Sequence, residues 1–435
     1  MMEKHKRNSR FLLALIVFSL VGQVAWVVEN MYLNVFIYKM FRASADQISL
    51  MVGASAVAAT VTTLLIGALS DKVGKRKLFI CGGYILWGIS ILGFALIREN
   101  LVHRIFFPTV SYIGAALNLC ITLTIVLDCV MTFFGSSAND AAFNAWLTDS
   151  TDETNRGRVE GLNAMMPLLA ILVVFGGFMS LNQDLQESWT IIFCVIGGVV
   201  LLLGVAGIFL IQDSQVKTDG NQKYFANILY GFRPRVIREN GKLYLSLLVF
   251  TLFNIAIQIY MPYLILYYSV SLELSNYVLI MAPAIILAAV FTAIYGRVYD
   301  QRGFRTAVIP VIALLMMGFG ILFLSRNTAL VFVGSLLMMC GYLSGMAVFG
   351  AVIRDHTPEN KAGMFQGLRI CFQVLIPGVV GPAIGAAVLK NAEQILNADG
   401  TYSFVPNANI FLAALIAIAV TAVALVPLCK LLKKR

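Results

Sequence analysis

Polar side chains interrupt one apolar stretch of this chain at regular intervals. Asn144 and Thr148 follow Asp140 at steps of four residues, so the three share one face of a helix, and Asn139 adjoins them. An ionisable group inside an apolar segment is costly and is usually retained for a function, such as holding a cation or a proton. We expect Asp140 to bind a cation or a proton; a cap on a helix break near Gly135 is the alternative.

A second acid and an isolated base lie in other apolar runs. Glu29 is about 28 Å from Arg10 at 1.5 Å per residue, and two interpretations stay open: an ion-coupling acid, or a partner in an outer gate. Arg369 is the one base well inside an apolar run, with Gln366 and Gln373 on its face. Because an unpaired Arg there is costly, we expect it to pair with an acid from another helix or with an anionic ligand.

Amide and aromatic side chains complete the candidate binding residues. Asn254 and Gln258 are four residues apart and suit a hydroxyl-rich ligand, with hydrogen bonding between helices as the alternative. Trp26 and Tyr260 can stack on a sugar ring, although interfacial belts and packing account for most such residues. Asp128 falls near the outer end of its run and is predicted to be less central.

The elements that position these residues are long apolar runs. Hydrophobic residues make up 59% of the chain and charged residues 12%, a balance typical of polytopic membrane proteins. Runs of about 20 apolar residues without alternation predict membrane-spanning helices and an all-α fold. Twelve runs are found, at about 11–38, 47–69, 78–97, 120–148, 161–181, 189–211, 243–268, 275–299, 305–325, 329–353, 364–389 and 409–431.

The distribution of basic residues predicts the orientation. Of the 32 Lys and Arg, 25 lie in the termini and the loops on one side of the predicted membrane, and six lie on the other. This asymmetry places both termini in the cytoplasm of a plasma-membrane protein. It also accounts for the net charge of +10 without a nucleic-acid partner. The seven cysteines lie singly in apolar runs, which indicates packing residues and no metal site.

A loop motif occurs twice and indicates an internal duplication. The two copies share Gly, Asp, Gly and Arg at relative positions 0, 4, 7 and 9, and they begin 229 residues apart. Their members are Gly67, Asp71, Gly74 and Arg76 in the first copy and Gly296, Asp300, Gly303 and Arg305 in the second. A second pair of matching segments begins at Asp149 and Asp355. Paired halves of this kind are typical of membrane transport proteins.

The duplication also predicts the domain organisation. Residues 1–211 form the first six-helix half and residues 243–435 the second, joined by a cytoplasmic linker at 212–242. The first half carries an extra external segment at about 98–120, where Pro108 and Gly114 are expected to break a run too long for one span. In the linker, 224–232 reads as an amphipathic helix on the membrane surface, with a solvated linker as the alternative.

The first motif copy resembles the signature of the major facilitator superfamily. Gly67, Asp71, Lys72, Gly74 and Arg76 match its Gly-x-x-x-Asp-[Arg/Lys]-x-Gly-x-[Arg/Lys]-[Arg/Lys] pattern. The resemblance implies twelve helices, alternating access and a gating role for the motif. The chain is also similar to the branch of cation symporters for glycosides, pentosides and hexuronides. That branch places acids in the second span, whereas 47–69 has none, so no cation ligand is transferred by position.

We therefore expect a secondary active transporter that moves a small polar organic solute, a sugar or glycoside, by ion-coupled symport. The expected partners are that solute, a proton or sodium ion and the lipid bilayer; no cofactor is expected, and the chain is expected to be a monomer. One alternative is a proton-coupled exporter of amphipathic or lipid-like compounds. Another is a non-transporting membrane sensor or channel. An enzyme is disfavoured, because the three histidines lie in termini or loops.

Overall fold

A computed structural model describes residues 2–108, 113–151, 156–212, 230–274, 276–357 and 367–432. Helices dominate, as the apolar runs predict. In the first part of the chain the helices are Met2–Val27, Leu33–Phe41, Ala45–Val73, Arg76–Phe94, Glu99–Phe106, Ile113–Gly135, Asn144–Ser150, Arg156–Phe178 and Gln186–Leu210. In the second part they are Pro234–Glu239, Gly241–Tyr260, Leu264–Leu266, Val278–Leu324, Thr328–His356, Ile376–Leu389 and Asn409–Leu431. Residues 224–229 of the predicted linker helix lie outside the described ranges.

Short 3-10 and π segments join several of these helices. The 3-10 turns are Tyr230–Phe232 and Met261–Tyr263. The π segments are Val28–Tyr32, Ser136–Phe143, Tyr267–Ser271 and Cys371–Leu375. Residues 10–41, 114–149 and 241–271 are each continuous as one membrane-length segment, so the π segments widen these spans locally without ending them.

Ten helices of the described ranges are long and apolar enough to cross a membrane. The longest, Val278–Leu324, has 47 residues and bends at Gly303, so it supplies two spans. A further span is the helix Arg156–Phe178, whose apolar part is Met165–Phe178. These helices account for the twelve predicted spans, which are numbered one to twelve below in chain order.

The chain divides into two compact units. Unit one comprises residues 1–43 and 57–224, and unit two comprises 44–56 and 225–435. The boundary at 224 falls inside the predicted linker. The outer residues of span two, 44–56, cluster with the second unit. A separate short helix, Glu99–Phe106, precedes span four in unit one.

Glycines hold the helices of unit one together. A Cβ at Gly88 of span three would lie 2.5 Å from the backbone nitrogen of Leu201 in span six. A Cβ at Gly204 would lie 2.6 Å from the backbone nitrogen of Ile85. The two backbones are therefore in direct contact, the arrangement by which small residues stabilise helix pairs in lipid.

Unit two also has close helix contacts at glycines, and it contains a β-hairpin. A Cβ at Gly381 of span eleven would lie 2.4 Å from the Cβ of Gln258 in span seven. The Tyr263 hydroxyl lies 3.0 Å from the carbonyl oxygen of Ala45 and 3.2 Å from that of Pro382. Strands β1 (Gln394–Leu396) and β2 (Tyr402–Phe404) pair antiparallel between spans eleven and twelve. This hairpin is absent from the sequence prediction, because strands of three residues lack a readable alternation.

Both copies of the loop motif turn at the same glycine. Gly74 has φ of 67° and Gly303 has φ of 73°, in the left-handed region that glycine adopts at little cost. Each glycine links the end of one span to the start of the next. The duplication seen in the sequence is therefore present in the backbone as well.

Candidate functional site

Four spans that carry predicted site residues contain a π segment. Glu29 lies in the π segment of span one, Asn139 and Asp140 lie in that of span four, and Gln373 lies in that of span eleven. Span seven has its own, Tyr267–Ser271. Single π turns inside α-helices are frequent at functional sites, because they leave backbone groups and side chains displaced from the regular helix.

Asp140 is held by hydroxyl and amide groups of its own span. The Ser136 hydroxyl donates to Asp140 Oδ2 at 3.0 Å, and Asn139 Nδ2 lies 3.5 Å from Asp140 Oδ1. The hydroxyl of Tyr84 in span three lies 3.1 Å from Asn139 Oδ1 and 2.9 Å from the carbonyl oxygen of Phe18 in span one. Spans one, three and four are thus connected at the depth of Asp140.

The predicted acid Glu29 contacts span four at Thr132, about two turns before Asp140. The Thr132 hydroxyl donates to Glu29 Oε1 at 2.8 Å, and both residues are buried. Asp128, four residues before Thr132, is 2% exposed and interacts electrostatically with Glu29. Asp128 Oδ1 has no hydrogen-bond partner among the described residues. Asp128, predicted to be less central than Asp140, lies near Glu29.

Together these residues form a polar stripe along span four. Asp128, Thr132, Ser136 and Asp140 recur every four residues, which corresponds to about 18 Å at 1.5 Å per residue. Hydroxyl groups occupy the two middle positions, with Thr132 bound to Glu29 and Ser136 bound to Asp140. Carboxyl and hydroxyl groups in sequence can bind a cation and can pass a proton. The sequence analysis missed Thr132, although the four-residue interval already marks it.

Other predicted residues near this stripe have structural contacts. Asn144 is exposed, and its amide donates to the carbonyl oxygen of Asp140 on its own helix at 3.2 Å. The ring of Trp26 packs against that of Trp87 with centroids 5.0 Å apart. A Cβ at Gly135 would lie 2.7 Å from the Trp87 ring, so glycine admits the two indoles beside the π segment.

The candidates of span seven in unit two are used in packing. The Asn254 amide donates to the carbonyl oxygen of Phe250 on its own helix at 2.9 Å. Gln258 packs against Gly381. Tyr260 is fully buried, and its ring contacts those of Phe319 and Phe411. In unit one the acidic candidates therefore form two hydrogen-bonded groups along span four, Glu29 with Thr132 and Asp140 with Ser136 and Asn139, whereas the candidates of span seven contact different neighbours.

Arg369 has a partner on its own span. Its Nε donates to Gln373 Oε1 at 3.1 Å, the i+4 pair that the sequence indicates. In the described ranges no acidic side chain pairs with it. Gln366, the other predicted neighbour, lies outside those ranges. A guanidinium carries five N–H donors, and the contact with Gln373 uses one of them.

The first copy of the loop motif contains an ion pair in which the arginine is buried and the acid is partly exposed. Arg76 Nε lies 3.1 Å from Asp149 Oδ2, and Arg76 Nη1 donates to Ser70 Oγ at 2.6 Å. Arg76 is 4% exposed, whereas Lys72 lies on the surface. The pair links the loop after span two to the end of span four, and so joins two segments that the sequence identifies separately. The side chain of Asp71 lies outside the described part of the molecule.

The second copy of the motif is arranged differently. Asp355, the counterpart of Asp149, accepts a hydrogen bond from the Tyr299 hydroxyl at 2.6 Å. Asp300 and Gly296 line a small cavity of about 160 Å³ between spans eight and ten. Arg305 is exposed at the start of span nine and, within the described residues, forms no ion pair. The buried pair of the first half therefore has no equivalent at Arg305.

Several solved structures share the fold over nearly the whole chain. A mutant of the nucleoside transporter NupG matches with a TM-score of 0.70 and 12% identity, covering 96% of this chain and 99% of that one. A bacterial homologue of the human lysosomal transporter Spinster, inward-facing and occupied, matches with a TM-score of 0.68 and 15% identity, covering 97% of each chain. The xylose transporter XylE from E. coli matches with a TM-score of 0.67 and 12% identity, covering 96% and 98%. At these identities the matches show the fold.

Comparison with curated protein sequences finds no match. The family model of the Major Facilitator Superfamily matches residues 11–382, most of the chain. The family, the apolar helices and the fold agree with one another: the protein is an integral, multi-pass membrane protein of the secondary-transporter type and not an enzyme. The chain belongs to the Major Facilitator Superfamily.

Proposed function

We propose that this protein is an ion-coupled symporter of a small polar organic solute, a sugar or glycoside. The observation that carries the proposal is a set of three acids on spans one and four, each beside a hydroxyl or a second acid: Glu29 and Asp128, which are buried, and Asp140, which is partly buried. Acids retained inside an apolar span are costly, and we expect these three to bind the coupling ion. Two similar folds carry the names of a xylose and a nucleoside transporter, both for polar solutes.

The proposed roles divide between the two units. Asp140, supported by Asn139, binds the coupling ion in unit one. Arg369 and Gln373 bind the solute in unit two, where Asn254 and Gln258 are used in packing. Binding of ion and solute allows the carrier to alternate between its inward-open and outward-open states, while the loop motifs hold the closed side.

A proton is the coupling ion that this arrangement favours. The hydroxyl of Thr132 donates to Glu29 and that of Ser136 donates to Asp140, so each carboxyl group has a neighbouring hydroxyl that can stabilise either the protonated or the charged form. The predicted second run, 47–69, contains no acid that would add to a sodium site. The excess of basic residues in alternate loops supports cytoplasmic termini in a plasma membrane.

Uptake into proteoliposomes tests the proposal. Labelled glycosides, pentoses, hexuronates and nucleosides are offered with an imposed proton gradient, an imposed sodium gradient or neither, and the parent is compared with Asp140→Asn. The control is Asp184→Asn, the same change at an exposed acid whose side chain pairs with Lys39. Gradient-driven uptake that only Asp140→Asn abolishes supports symport.

The alternatives predict different results in the same vesicles. Counterflow of labelled solute against a preloaded pool requires an alternating carrier, so its absence together with passive uptake would indicate a channel. If none of the polar solutes accumulates, the symport proposal fails. Proton-driven efflux of an amphipathic dye would then favour the exporter.

A further inference from the structure

The two copies of the gating motif give their arginines different surroundings. Arg76 is buried and bound to Asp149. At the equivalent place in unit two, Tyr299 binds Asp355, and Arg305 remains exposed. Arg305 does not make the ion pair that Arg76 makes, so it is available for another partner. Its neighbours identify that partner.

Arg305 stands at one end of a groove between spans nine and twelve. The groove has a volume of about 390 Å³, within the range of small-molecule sites. Val308, Ile312 and Leu425 form its buried floor, whereas Ile309 and Val426 are more than half exposed at its rim. The lining residues of each helix recur at intervals of three and four, so two apolar stripes face each other.

Charge is confined to one end of this groove. Arg305 begins one stripe, and Lys430 ends the other, because the two helices run in opposite directions. Three residues of span nine and four of span twelve line the remainder, which extends about 10 Å along each helix at 1.5 Å per residue. Both bases are exposed. An occupant that matches these features has an anionic head and an apolar chain.

We propose that this groove binds one anionic phospholipid, with its phosphate on Arg305 and Lys430 and an acyl chain along the apolar walls. The groove opens at the side of a membrane-spanning unit, where lipid is the surrounding solvent. Basic pockets between spanning helices bind anionic headgroups, and Arg holds phosphate through paired N–H donors. The site is independent of the identity of the transported solute.

The groove contains a native reporter of its occupancy. Cys429 lines it beside Arg305, and Cys194 is an exposed cysteine of span six in unit one. Alkylation of both cysteines by a maleimide is followed by peptide mass spectrometry in nanodiscs of phosphatidylcholine, with or without phosphatidylglycerol of the same acyl chains. We expect phosphatidylglycerol to slow alkylation of Cys429 and to leave Cys194 unchanged.

Two sets of variants distinguish binding of the lipid headgroup from binding of its acyl chain. Arg305→Gln with Lys430→Gln is expected to remove the protection of Cys429 and to weaken phosphatidylglycerol binding in native mass spectrometry about 25-fold, about fivefold for each base. Arg326→Gln with Lys390→Gln, two exposed bases of the same unit outside the groove, is the matched control and is expected to bind like the parent.

Ala422→Leu fills the groove and keeps both bases. It is expected to lower binding of phosphatidylglycerol as well. Equal protection by the two lipids in the parent, or full phosphatidylglycerol binding by the double glutamine variant, would overturn the proposal. Loss of binding in the Arg326→Gln/Lys390→Gln control would do so too, because it would indicate general surface charge. None of these outcomes bears on solute uptake.

Discussion

Arg76 Nε lies 3.1 Å from Asp149 Oδ2 and thereby joins the loop after span two to the end of span four. The Arg76 side chain is 5% exposed and that of Asp149 is 25% exposed. A planar guanidinium so buried depends on its acceptors, because five N–H donors must be satisfied. In unit two, Asp355 is satisfied by the neutral hydroxyl of Tyr299 instead. The two halves therefore share a backbone turn but differ in the ion pair beside it.

Removal of the buried base should destabilise unit one. Arg76→Met is expected to lower the free energy of unfolding by about 1–3 kcal/mol, because Asp149 and Ser70 lose a charged partner. Arg305→Met, the equivalent change at an exposed arginine, should stay within about 0.5 kcal/mol. Thermal denaturation of the purified variants measures both.

The double variant Arg76→Met/Asp149→Asn isolates the pair itself. The two changes should add to less than the sum of the single effects, since either one already breaks the ion pair. Strict additivity would mean that Arg76 stabilises the protein through other contacts. An equal loss in Arg305→Met would mean that burial of the arginine is irrelevant.

The cost of replacing a motif glycine by alanine should depend on the backbone φ angle of that glycine. Gly74→Ala and Gly303→Ala are each expected to cost about 1–2 kcal/mol, because an L-residue with a Cβ is strained at positive φ. At Gly303 no atom lies within 4 Å of the added Cβ, so the cost there is conformational alone.

Gly296→Ala is the matched control in the same motif. Gly296 lies within a helix and has open space at its Cβ position. Alanine there should be neutral or stabilising by up to about 1 kcal/mol. Thermal midpoints of the three variants, measured in one detergent, test the contrast; a Gly296→Ala variant as unstable as Gly303→Ala would refute the explanation from φ.

Most of the fold could be predicted from the length of the apolar runs. Each backbone polar group must be satisfied within its own helix in lipid, so a run of about 20 apolar residues leaves few alternatives. The family motif added the two-unit organisation. The hairpin of β1 and β2 was missed, and the pairing of residues 44–56 with unit two was not predicted. The strands of the hairpin are too short to show an alternation, and the pairing of residues 44–56 depends on contacts between distant segments, which composition and periodicity do not report.

The candidate site was predicted in part. Asp140 and its neighbour Ser136 are four residues apart, an interval that any helix makes visible. The contact between Thr132 and Glu29 joins residues 103 positions apart, and no local pattern reveals it. The π segments also displace the faces of the helices. In span four the π segment Ser136–Phe143 adds about one residue, which rotates the side chains on its two sides by about 100° relative to each other. A helical face counted through this segment therefore does not predict the direction of Thr132, which contacts Glu29.

Small residues between spans three and six should tolerate no enlargement. Gly88→Ala places a Cβ 2.5 Å from the backbone of Leu201, so the two helices must separate. We expect the free energy of unfolding to fall by about 1–3 kcal/mol or more, which a lower thermal midpoint would report. Gly198→Ala, on the facing helix but with nothing within 4 Å, is the control. Similar midpoints for the two variants would show that these spans are not packed through Gly88.

The hydroxyl of Thr132 should contribute more to stability than that of Thr124, two turns earlier on the same span. Thr132→Val removes the donor to Glu29 Oε1 and is expected to cost about 1–3 kcal/mol, since a buried carboxylate oxygen loses a partner. Thr124→Val is the control: Thr124 is equally buried, but its hydroxyl donates to the carbonyl oxygen of Cys120 on its own helix, so the change should be close to neutral.

Asp128→Asn neutralises one acid of the Glu29–Asp128 pair. Glu29 and Asp128 interact while both are buried, and two carboxylates that share a site cannot both remain ionised at low cost. Replacing one by a neutral amide should therefore leave the thermal midpoint unchanged or raise it, whereas Thr132→Val lowers it. If Asp128 serves the coupling ion, the same variant should lose gradient-driven uptake while it stays folded. A destabilised Asp128→Asn that still accumulates solute against a gradient would assign this acid to packing and leave coupling to Asp140.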